Sequence, residues 1–596
     1  MKQTHLITAP FPELWQETKS VVVIDGIDLD GKVFIDDSNI EVMLIKSPEI
    51  LCEVDETEFT QFKITSEIIF QELVHELNRV HGTDHSERYW RIVCSAWFLQ
   101  FAQVWYLRWK VAGEVYKQFG NLLCPRIDLS WQELLPVTHD EASLLFATDV
   151  WNHVAYTDAF SFHAQTQTKQ EVISAPDRNR ELLEYRKVIN FGLPSQQPKS
   201  KLETLLTKFS PRPKIVLAGV AQTKLALVAM HLRLGVLPRI WRFSAKLTPQ
   251  PIDLALRSSF FNSKNFGEGG SFAQFLASAI SHHLPTIYLE GFNDLVVQTQ
   301  SNNILKKPPK AIFTNTLIHR SEQFKVWCAT FDSQGHTKLF SGQHGGGYLV
   351  SQFLGWSEDY ELSIVDQFFS WGKVSTEKKI TPTCYQSISK DFAAKKDGNL
   401  LVVLGPVTRN SDIYGMLGVQ SNSSYFSLLN SFINSLSSEI LSQTIVRPKN
   451  AGQTRKPARV SSAQMSQVIV KSVQLDHGGL SLDRRQSTAR LAVVTYNETT
   501  IPQNLMANYP TIALWDSKYV RLNHHAAEIY KQLEQAKILF HSPTLAAQHI
   551  SEIWTDIEKW WNSHSVRAAR ENYCNHYAYQ AKYPALTVAS AIADSI

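Results

Sequence analysis

The residues best suited to chemistry lie in one segment, Ser341-Gly-Gln-His-Gly-Gly-Gly-Tyr348. His344 can act as an acid or base near neutral pH, or donate a hydrogen bond to a phosphate. The glycines that follow, Gly345, Gly346 and Gly347, carry no Cβ, so backbone N–H groups can face a bound ligand. The segment therefore predicts a site for a phosphorylated ligand with His344 as its catalytic residue. The alternative is a tight turn in which the histidine caps the next helix.

Two acids, Glu361 and Asp366, follow His344 by 17 and 22 residues. A carboxylate at this distance can deprotonate a hydroxyl group or act as a nucleophile. Residues five apart do not fully share one face of a helix. Both acids are candidate catalytic residues, but we expect only one of them, with Glu361 as the first choice, to point into the cleft. A solvated helix face is the alternative.

Short apolar strands alternate with helices around this segment, which predicts parallel sheets covered on both faces. The predicted strands cover residues 20–25, 214–219, 286–290, 311–315, 337–340, 399–404, 442–447, 490–495 and 511–515. Since ligands bind at the carboxyl ends of parallel strands, the glycine turn after 337–340 is placed where a ligand site is expected.

A chain of 596 residues is too long for one hydrophobic core, so more than one domain is expected. We predict an N-terminal Rossmann-like domain over 1–385, with a large helical insertion at about 57–165. A polar, basic stretch from 165 to 213 is predicted to be a surface excursion. The C-terminal Rossmann-like domain covers 398–596 and ends in helices. The predicted fold class is α/β, with two doubly wound parallel-sheet domains facing a cleft, and it resembles the GT-B architecture.

Composition limits the partners of the protein. Hydrophobic residues make up 44% and charged residues 19%, which is typical of a globular protein, and the net charge of +3 gives no strong field for nucleic acid. The six cysteines form no CxxC pair, which favours a reducing cytoplasm. No secretion signal or membrane span is predicted. We expect a cytoplasmic protein with at most peripheral membrane association, and the inner face of the membrane is the alternative location.

Several sequence blocks occur together in a specific order: His81 to Arg91 and on to Trp109, Trp151-Asn-His153, Phe324 to Gly372, Thr495 to Thr500, Asn508-Tyr-Pro510 and Trp560-Trp561. In this order and spacing they resemble a transferase family encoded in bacterial surface-polysaccharide and O-antigen gene clusters. The resemblance covers about residues 60 to 580.

This resemblance implies a GT-B glycosyltransferase that moves a sugar from a nucleotide donor to a bacterial surface glycan or glycolipid. The preferred donor is a CMP-activated ulosonic acid, such as Kdo or a related nonulosonic acid. Two other functions stay open: a nucleotide-sugar epimerase or hydrolase of the same fold, and a non-catalytic nucleotide-sugar-binding scaffold. The hypothesis of a non-catalytic scaffold is supported by Gln503, which occupies a position where the family tends to have an acid.

The GT-B resemblance also assigns residues to the two substrates. Donor contacts are expected from Gly345, Gly346, Gly347, Arg447, Thr499 and Thr500. Acceptor contacts are expected from Arg88, Arg91, Asn152 and His153. Structural ion pairing is the alternative for the two arginines, and helix capping for the two threonines. No cofactor is expected, because the nucleotide sugar is a substrate, and the sequence predicts no metal site.

Overall fold

The computed structural model describes residues 4–16, 18–25, 38–165, 171–175, 214–220, 222–239, 250–261, 271–301, 308–335, 337–386, 393–405, 422–449 and 473–596, with a few isolated positions between these ranges. The polar segment Ser195–Lys201, predicted to be part of a surface excursion, lies outside the described residues.

Two long helices dominate the region after residue 55, as the apolar spacing predicts. Asp55 and Gly82 cap helix α2, and Ser86 and Gly120 cap helix α3. Almost the whole centre of α3 is buried, including Trp90, Trp97 and Trp105. The tryptophans of this helix therefore form part of the hydrophobic core. The helices here are α1 Ser47–Leu51, α2 Glu56–His81, α3 Glu87–Phe119, α4 Trp131–Leu134, α5 His139–Leu145 and α6 Asp149–Ala164.

A small parallel sheet packs beside these helices. Its strands are β1 His5–Ile7, β2 Ser20–Ile24 and β3 Glu41–Ile45, in spatial order β1-β2-β3. The predicted strand at 20–25 is thus confirmed, but it does not join the sheet that carries the glycine turn. A second short parallel pair consists of β4 Arg126–Ile127 and β5 Val172–Ile173.

The glycine turn follows the central strand of a five-stranded parallel sheet, whose order is β10-β9-β8-β7-β6. Its strands are β6 Ile215–Leu217, β7 Ala311–Thr314, β8 Lys338–Gly342, β9 Gln367–Ser370 and β10 Ile380–Pro382. The helices between them are α7 Lys224–Arg233, α8 Leu254–Ser259, α9 Phe272–His283, α10 Phe292–Ser301, α11 Leu317–Arg320, α12 Glu322–Ser333 and α13 Trp356–Ile364.

The strand predicted at 286–290 is wrong. Thr286–Tyr288 forms one turn of 3-10 helix after Pro285. The backbone N–H groups of Thr286 and Ile287 donate to Pro136 and Val137 instead of to a sheet neighbour. The apolar, β-branched run that suggested a strand is buried by these tertiary contacts, so local preference is overridden.

The rest of the chain builds a six-stranded parallel sheet of order β13-β12-β11-β14-β15-β16. Its strands are β11 Asn399–Val403, β12 Thr444–Arg447, β13 Gln474–Leu475, β14 Ala489–Val494, β15 Thr511–Leu514 and β16 Leu539–Phe540. Its helices are α14 Asn422–Asn434, α15 Ser438–Ser442, α16 Leu482–Gln486, α17 Thr500–Met506, α18 His524–Gln535, α19 Pro543–Ile553, α20 Ile557–Trp561, α21 His564–Tyr577 and α22 Pro584–Asp594.

The two large sheets meet through their carboxyl edges. Gly346, after β8, donates from its backbone N–H to Thr499 Oγ1, after β14, at 3.1 Å. The final helix then returns to the first sheet, where Val588, Ala589 and Ile592 share a core with strands β6 to β9. Two facing parallel α/β sheets, a helical insertion before the first and a returning C-terminus confirm the predicted GT-B-like fold class.

Candidate active site between the two sheets

A single buried carboxylate organises the polar residues after β8. Glu361 lies in the middle of α13 with no exposed surface. Its Oε1 atom lies 2.7 Å from His344 Nε2 and 2.6 Å from the Tyr348 hydroxyl, and it also bonds His319 Nε2. Its Oε2 atom accepts from Ser341 Oγ at 2.7 Å. Four side chains therefore point at one carboxylate, and we call Ser341, His319, His344, Tyr348 and Glu361 the Glu361 cluster.

The surroundings of Glu361 favour its ionised form. Burial alone would raise the pKa of this carboxyl, but the charges and hydrogen bonds of His344 and His319 lower the pKa below its ordinary value. Burial lowers the pKa of His319 despite the neighbouring Glu361. A neutral histidine that donates N–H to an ionised carboxylate fits both shifts.

His344 is the member of the cluster that reaches solvent, with 20% of its side chain exposed. Donation from Nε2 to Glu361 leaves Nδ1 as the unprotonated nitrogen of a neutral ring. No described residue forms a hydrogen bond to Nδ1. The arrangement is that of a histidine base whose tautomer and orientation are fixed by a carboxylate.

Glu361 itself cannot perform the acid–base or nucleophilic role predicted for it. Its oxygens already accept from four donors and have no access to solvent. The structure places Glu361 against His344, where the carboxylate can hold the imidazole ring in one orientation.

Three members of the cluster carry no role in the sequence prediction. Ser341 is the fourth residue of β8, and Tyr348 follows the glycines. His319 lies in α11, directly after β7, which is the neighbour of β8. Because β7 and β8 are parallel, their carboxyl ends meet at one edge, and this brings His319 beside His344.

The glycines of the turn differ in what surrounds them. A Cβ on Gly346 would lie 2.6 Å from the Cα and N atoms of Thr499, so the glycine admits the backbone of the second domain. Its N–H group is occupied by Thr499 Oγ1. The donor-binding roles predicted for Gly346 and Thr499 are replaced in this structure by a contact between the two domains. A Cβ on Gly345 would meet nothing closer than 3.4 Å.

Asp366 is not part of the cluster. It precedes β9, and its Oδ2 atom accepts from the backbone N–H of Leu339, near the start of β8, at 2.7 Å. Asp366 thus sits at the amino edge of the sheet, while His344 follows the carboxyl edge. The catalytic role predicted for Asp366 has no support in this geometry.

The four predicted acceptor residues are engaged in structural contacts. Arg88 pairs with Asp332 at 2.9 Å and with Asp366 at 3.1 Å, on the amino side of the sheet. Arg91 pairs with Glu67 and Glu87. These pairs favour the structural alternative for both arginines.

Asn152 and His153 are buried in α6. Asn152 accepts from Arg108 Nε at 2.8 Å and donates to two carbonyls at the start of its helix. His153 lies 2.7 Å from Thr8 Oγ1, and burial lowers its pKa to about 3. A fully buried neutral histidine held by β1-side residues cannot meet an acceptor, so both side chains support the fold.

The second sheet places cationic groups at its carboxyl edge. Arg447 ends β12, as predicted, and donates to Asp476 Oδ2 at 2.6 Å and to the Leu480 carbonyl at 2.9 Å. Arg485 also donates to Asp476 Oδ2, at 2.9 Å. Two guanidinium groups share one carboxylate, so this trio carries a net charge of +1. Arg485 was not predicted.

Thr500 and Gln503 both take part in packing near the interface of the sheets. Thr500 Oγ1 lies 2.6 Å from the Tyr496 hydroxyl and is buried. Thr499 precedes α17 without a capping hydrogen bond from its side chain, so the helix-cap alternative is not observed. Gln503 Nε2 donates to Tyr385 OH at 2.5 Å. The amide thus joins α17 to the residues after β10.

His319, His344 and Glu361 are also the described residues best placed to hold a metal ion, since one atom of each lies within 4.8 Å of the others. The same atoms already satisfy one another by hydrogen bonds. A bound ion would have to separate the carboxylate from both rings. The prediction of a metal-free site stays a prediction.

Residues 4–591 match the LIC12162 family of transferases, and the chain therefore belongs to that family. This confirms the predicted resemblance to a transferase family and shows that the protein is a transferase. The gene-cluster context stays a prediction. Comparison with curated proteins found no match. Among the described residues, none of the helices is long and apolar enough to cross a membrane.

Solved structures with some similarity include a UDP-forming trehalose-phosphate synthase from Burkholderia xenovorans in complex with glucose-6-phosphate, at 9% identity and a TM-score of 0.31 over 52% of this chain and 79% of that one. Another is the spinosyn rhamnosyltransferase SpnG with spinosyn aglycone, at 11% identity and a TM-score of 0.30 over 63% and 99%. A third is the glycosyltransferase SnogD from Streptomyces nogalater, at 12% identity and a TM-score of 0.28 over 62% and 89%. These scores are too low to carry an inference about this chain.

Proposed function

We propose that the protein is a glycosyltransferase that moves a sugar from a nucleotide donor to a hydroxyl group of a bacterial surface glycan or related acceptor. The observation that carries the proposal is the His344–Glu361 pair, which lies at the carboxyl edge of one sheet and two residues from a contact with the other. A base at the carboxyl edge of the sheet, where ligands of open α/β folds bind, supports deprotonation of an acceptor hydroxyl.

His344 is the proposed general base. Its Nδ1 atom takes the proton of the acceptor hydroxyl while the acceptor oxygen bonds the anomeric carbon of the sugar. The bond from that carbon to the donor phosphate breaks, and the nucleotide leaves with the bonding electrons. Glu361 keeps the ring in the required tautomer and stabilises the imidazolium that forms. Tyr348 and Ser341 hold the carboxylate in position.

The proposed donor site lies at the carboxyl edge of the second sheet. The surplus positive charge of Arg447 and Arg485 over Asp476 supports binding of an anionic phosphate there. Lys449 lies 5.3 Å from the ring centre of Tyr496, but it pairs with Glu498, so this pair adds no net charge. The first donor to test is a CMP-linked ulosonic acid such as Kdo, followed by UDP, GDP and dTDP sugars.

The experiment is a donor screen in two stages. The first stage measures which nucleotide sugar raises the melting temperature, because a ligand that binds only the folded state stabilises it. The second stage measures release of the nucleotide with and without glycan acceptors. Acceptor-dependent release is the expected result. Release that no acceptor accelerates would favour hydrolysis or epimerisation, and binding without turnover would favour a scaffold.

A further inference from the structure

Helix α7 presents a row of exposed apolar side chains. Leu225 is 85% exposed, Leu232 is 64% exposed and Val228 is 39% exposed. Positions i, i+3 and i+7 lie on one face of a helix. The opposite face, with Met230 and Leu227, packs into the core shared with α22. The helix is therefore firmly attached on one side and apolar on the side that faces water.

Basic residues flank this row. At 100° per residue, Lys224 and Arg233 fall on the two borders of the apolar face. No aspartate or glutamate occurs between residues 214 and 239. The start of α22, which packs against α7, repeats this chemistry: Tyr583 is 59% exposed, Leu586 is 38% exposed and Lys582 precedes them.

We propose that the exposed face of α7, together with the start of α22, docks on an anionic lipid bilayer surface. A helix whose apolar face is bordered by lysine and arginine binds in the plane of a membrane interface, with its apolar side chains in the acyl boundary and its cations at the lipid phosphates. Neither α7 nor the start of α22 carries an acid, since the one acid of α22, Asp594, lies at its far end. This one-sided positive charge matches the negative surface of an anionic bilayer. The charge pattern favours the lipid.

Helix α7 begins close to the candidate active site. The helix begins after the carboxyl end of β6, at the same edge as His344. Gln222 bonds the Gln386 carbonyl, and Asn315 donates both to Gln386 Oε1 at 2.9 Å and to the Gly342 carbonyl at 2.6 Å. A bilayer bound to α7 thus lies beside the edge of the sheet that carries the Glu361 cluster.

The test uses the full-length protein and vesicles without any substrate, so its result is independent of the proposed reaction. We expect the protein to sediment with vesicles of phosphatidylcholine that contain phosphatidylglycerol, to bind pure phosphatidylcholine less, and to be released by salt. The double variant Leu225→Ser with Leu232→Ser should bind at least about tenfold more weakly. Lys224→Gln with Arg233→Gln should remove the preference for the anionic lipid.

The matched control is Ile64→Ser with Ile68→Ser, a pair on α2 with exposures of 50% and 52%. This control should sediment as the unchanged protein does. The proposal is overturned if the unchanged protein stays in the supernatant with anionic vesicles, or if the α7 double variant folds and binds as well as the control. It is also overturned if sedimentation velocity shows a dimer that the α7 variant loses while vesicles are not bound, because the face would then serve a second copy of the chain.

Discussion

The backbone N–H of Gly346 and the hydroxyl of Thr499 join the two sheets by a hydrogen bond of 3.1 Å, at a point where no Cβ would fit. His344 lies two residues before this contact, so its Cα is within about 8 Å of Cα346. The proposed base is therefore held close to the point where the two sheets touch.

A methyl group at position 346 should separate the domains. Gly346→Ala places a Cβ 2.6 Å from Thr499 backbone atoms, which cannot move aside as a flexible side chain can. We expect a loss of about 1–3 kcal/mol in the free energy of unfolding and a large loss of turnover. Gly345→Ala is the matched control, since its Cβ has room. Thermal denaturation and initial rates of both variants check this; equal behaviour of the two would contradict it.

Loss of the His344 imidazole should remove turnover and spare the fold. His344→Ala should lower kcat by about 10²-fold or more, the usual scale for a positioned base. The donor affinity should change little, because the imidazole faces the acceptor side of the reaction. His524→Ala is the control, since that side chain is 94% exposed. A folded His344→Ala variant with normal kcat would mean that the turn is structural.

Glu361→Gln should lower both kcat and stability. The amide has no negative charge, and its NH₂ cannot accept a hydrogen bond, so the bonds from the four surrounding side chains are weakened or must reverse direction. We expect a loss of about 1–3 kcal/mol in the free energy of unfolding. The affinity for the nucleotide sugar should be unchanged. Asp366→Asn should leave kcat unchanged, because Asp366 lies at the opposite edge of the sheet. A selective loss of kcat in Asp366→Asn would reverse the assignment.

Because of Glu358, the free energy of unfolding should decrease as the pH rises. Burial raises the pKa of this carboxyl to about 8, although its bond from the Leu349 N–H opposes the shift. Between its ordinary value of 4.5 and about 8, the folded protein keeps a proton that the unfolded chain has released, so the free energy of unfolding decreases as pH rises. Glu358→Gln should remove this contribution. Its melting temperature should exceed that of the unchanged protein more at pH 8 than at pH 5, as measured by thermal denaturation.

Chelation should leave activity intact. The two histidines already donate to Glu361, so the cluster is satisfied without an ion. The rate of nucleotide release should be equal before and after EDTA treatment. Loss of activity that Mg²⁺, Mn²⁺ or Zn²⁺ restores would show that His319, His344 and Glu361 are metal ligands.

The sequence predicted seven of the eleven described strands of the two large sheets, because apolar runs are local signals, and it missed β9, β10, β13 and β16, which have two to four residues each. The prediction did not use the direction of the strands, which decides the edge of the sheet at which a residue lies. Asp366 directly precedes a strand and so lies at the amino edge, whereas His319 follows a strand and lies at the carboxyl edge. His319 could have been found because the strand before it was predicted, whereas Asp366 could not have been excluded because the strand after it was not predicted.

Some contacts of the predicted site residues are contained in no local sequence pattern. Arg447 ends its strand as predicted, but its engagement by Asp476 depends on a residue 29 positions away. Asn152 and His153 look like free polar side chains in the sequence, and only the packing of α6 shows that they are buried.

The last helix has a consequence for the order in which the protein is made. Val588, Ala589 and Ile592 complete the core over one face of the first sheet, yet they leave the ribosome only after the whole second sheet has been synthesised. Until α22 has been synthesised, Phe313 and Phe369 share this core only with residues such as Met230 of α7. This interval is when the chain is most exposed to aggregation and to chaperone binding.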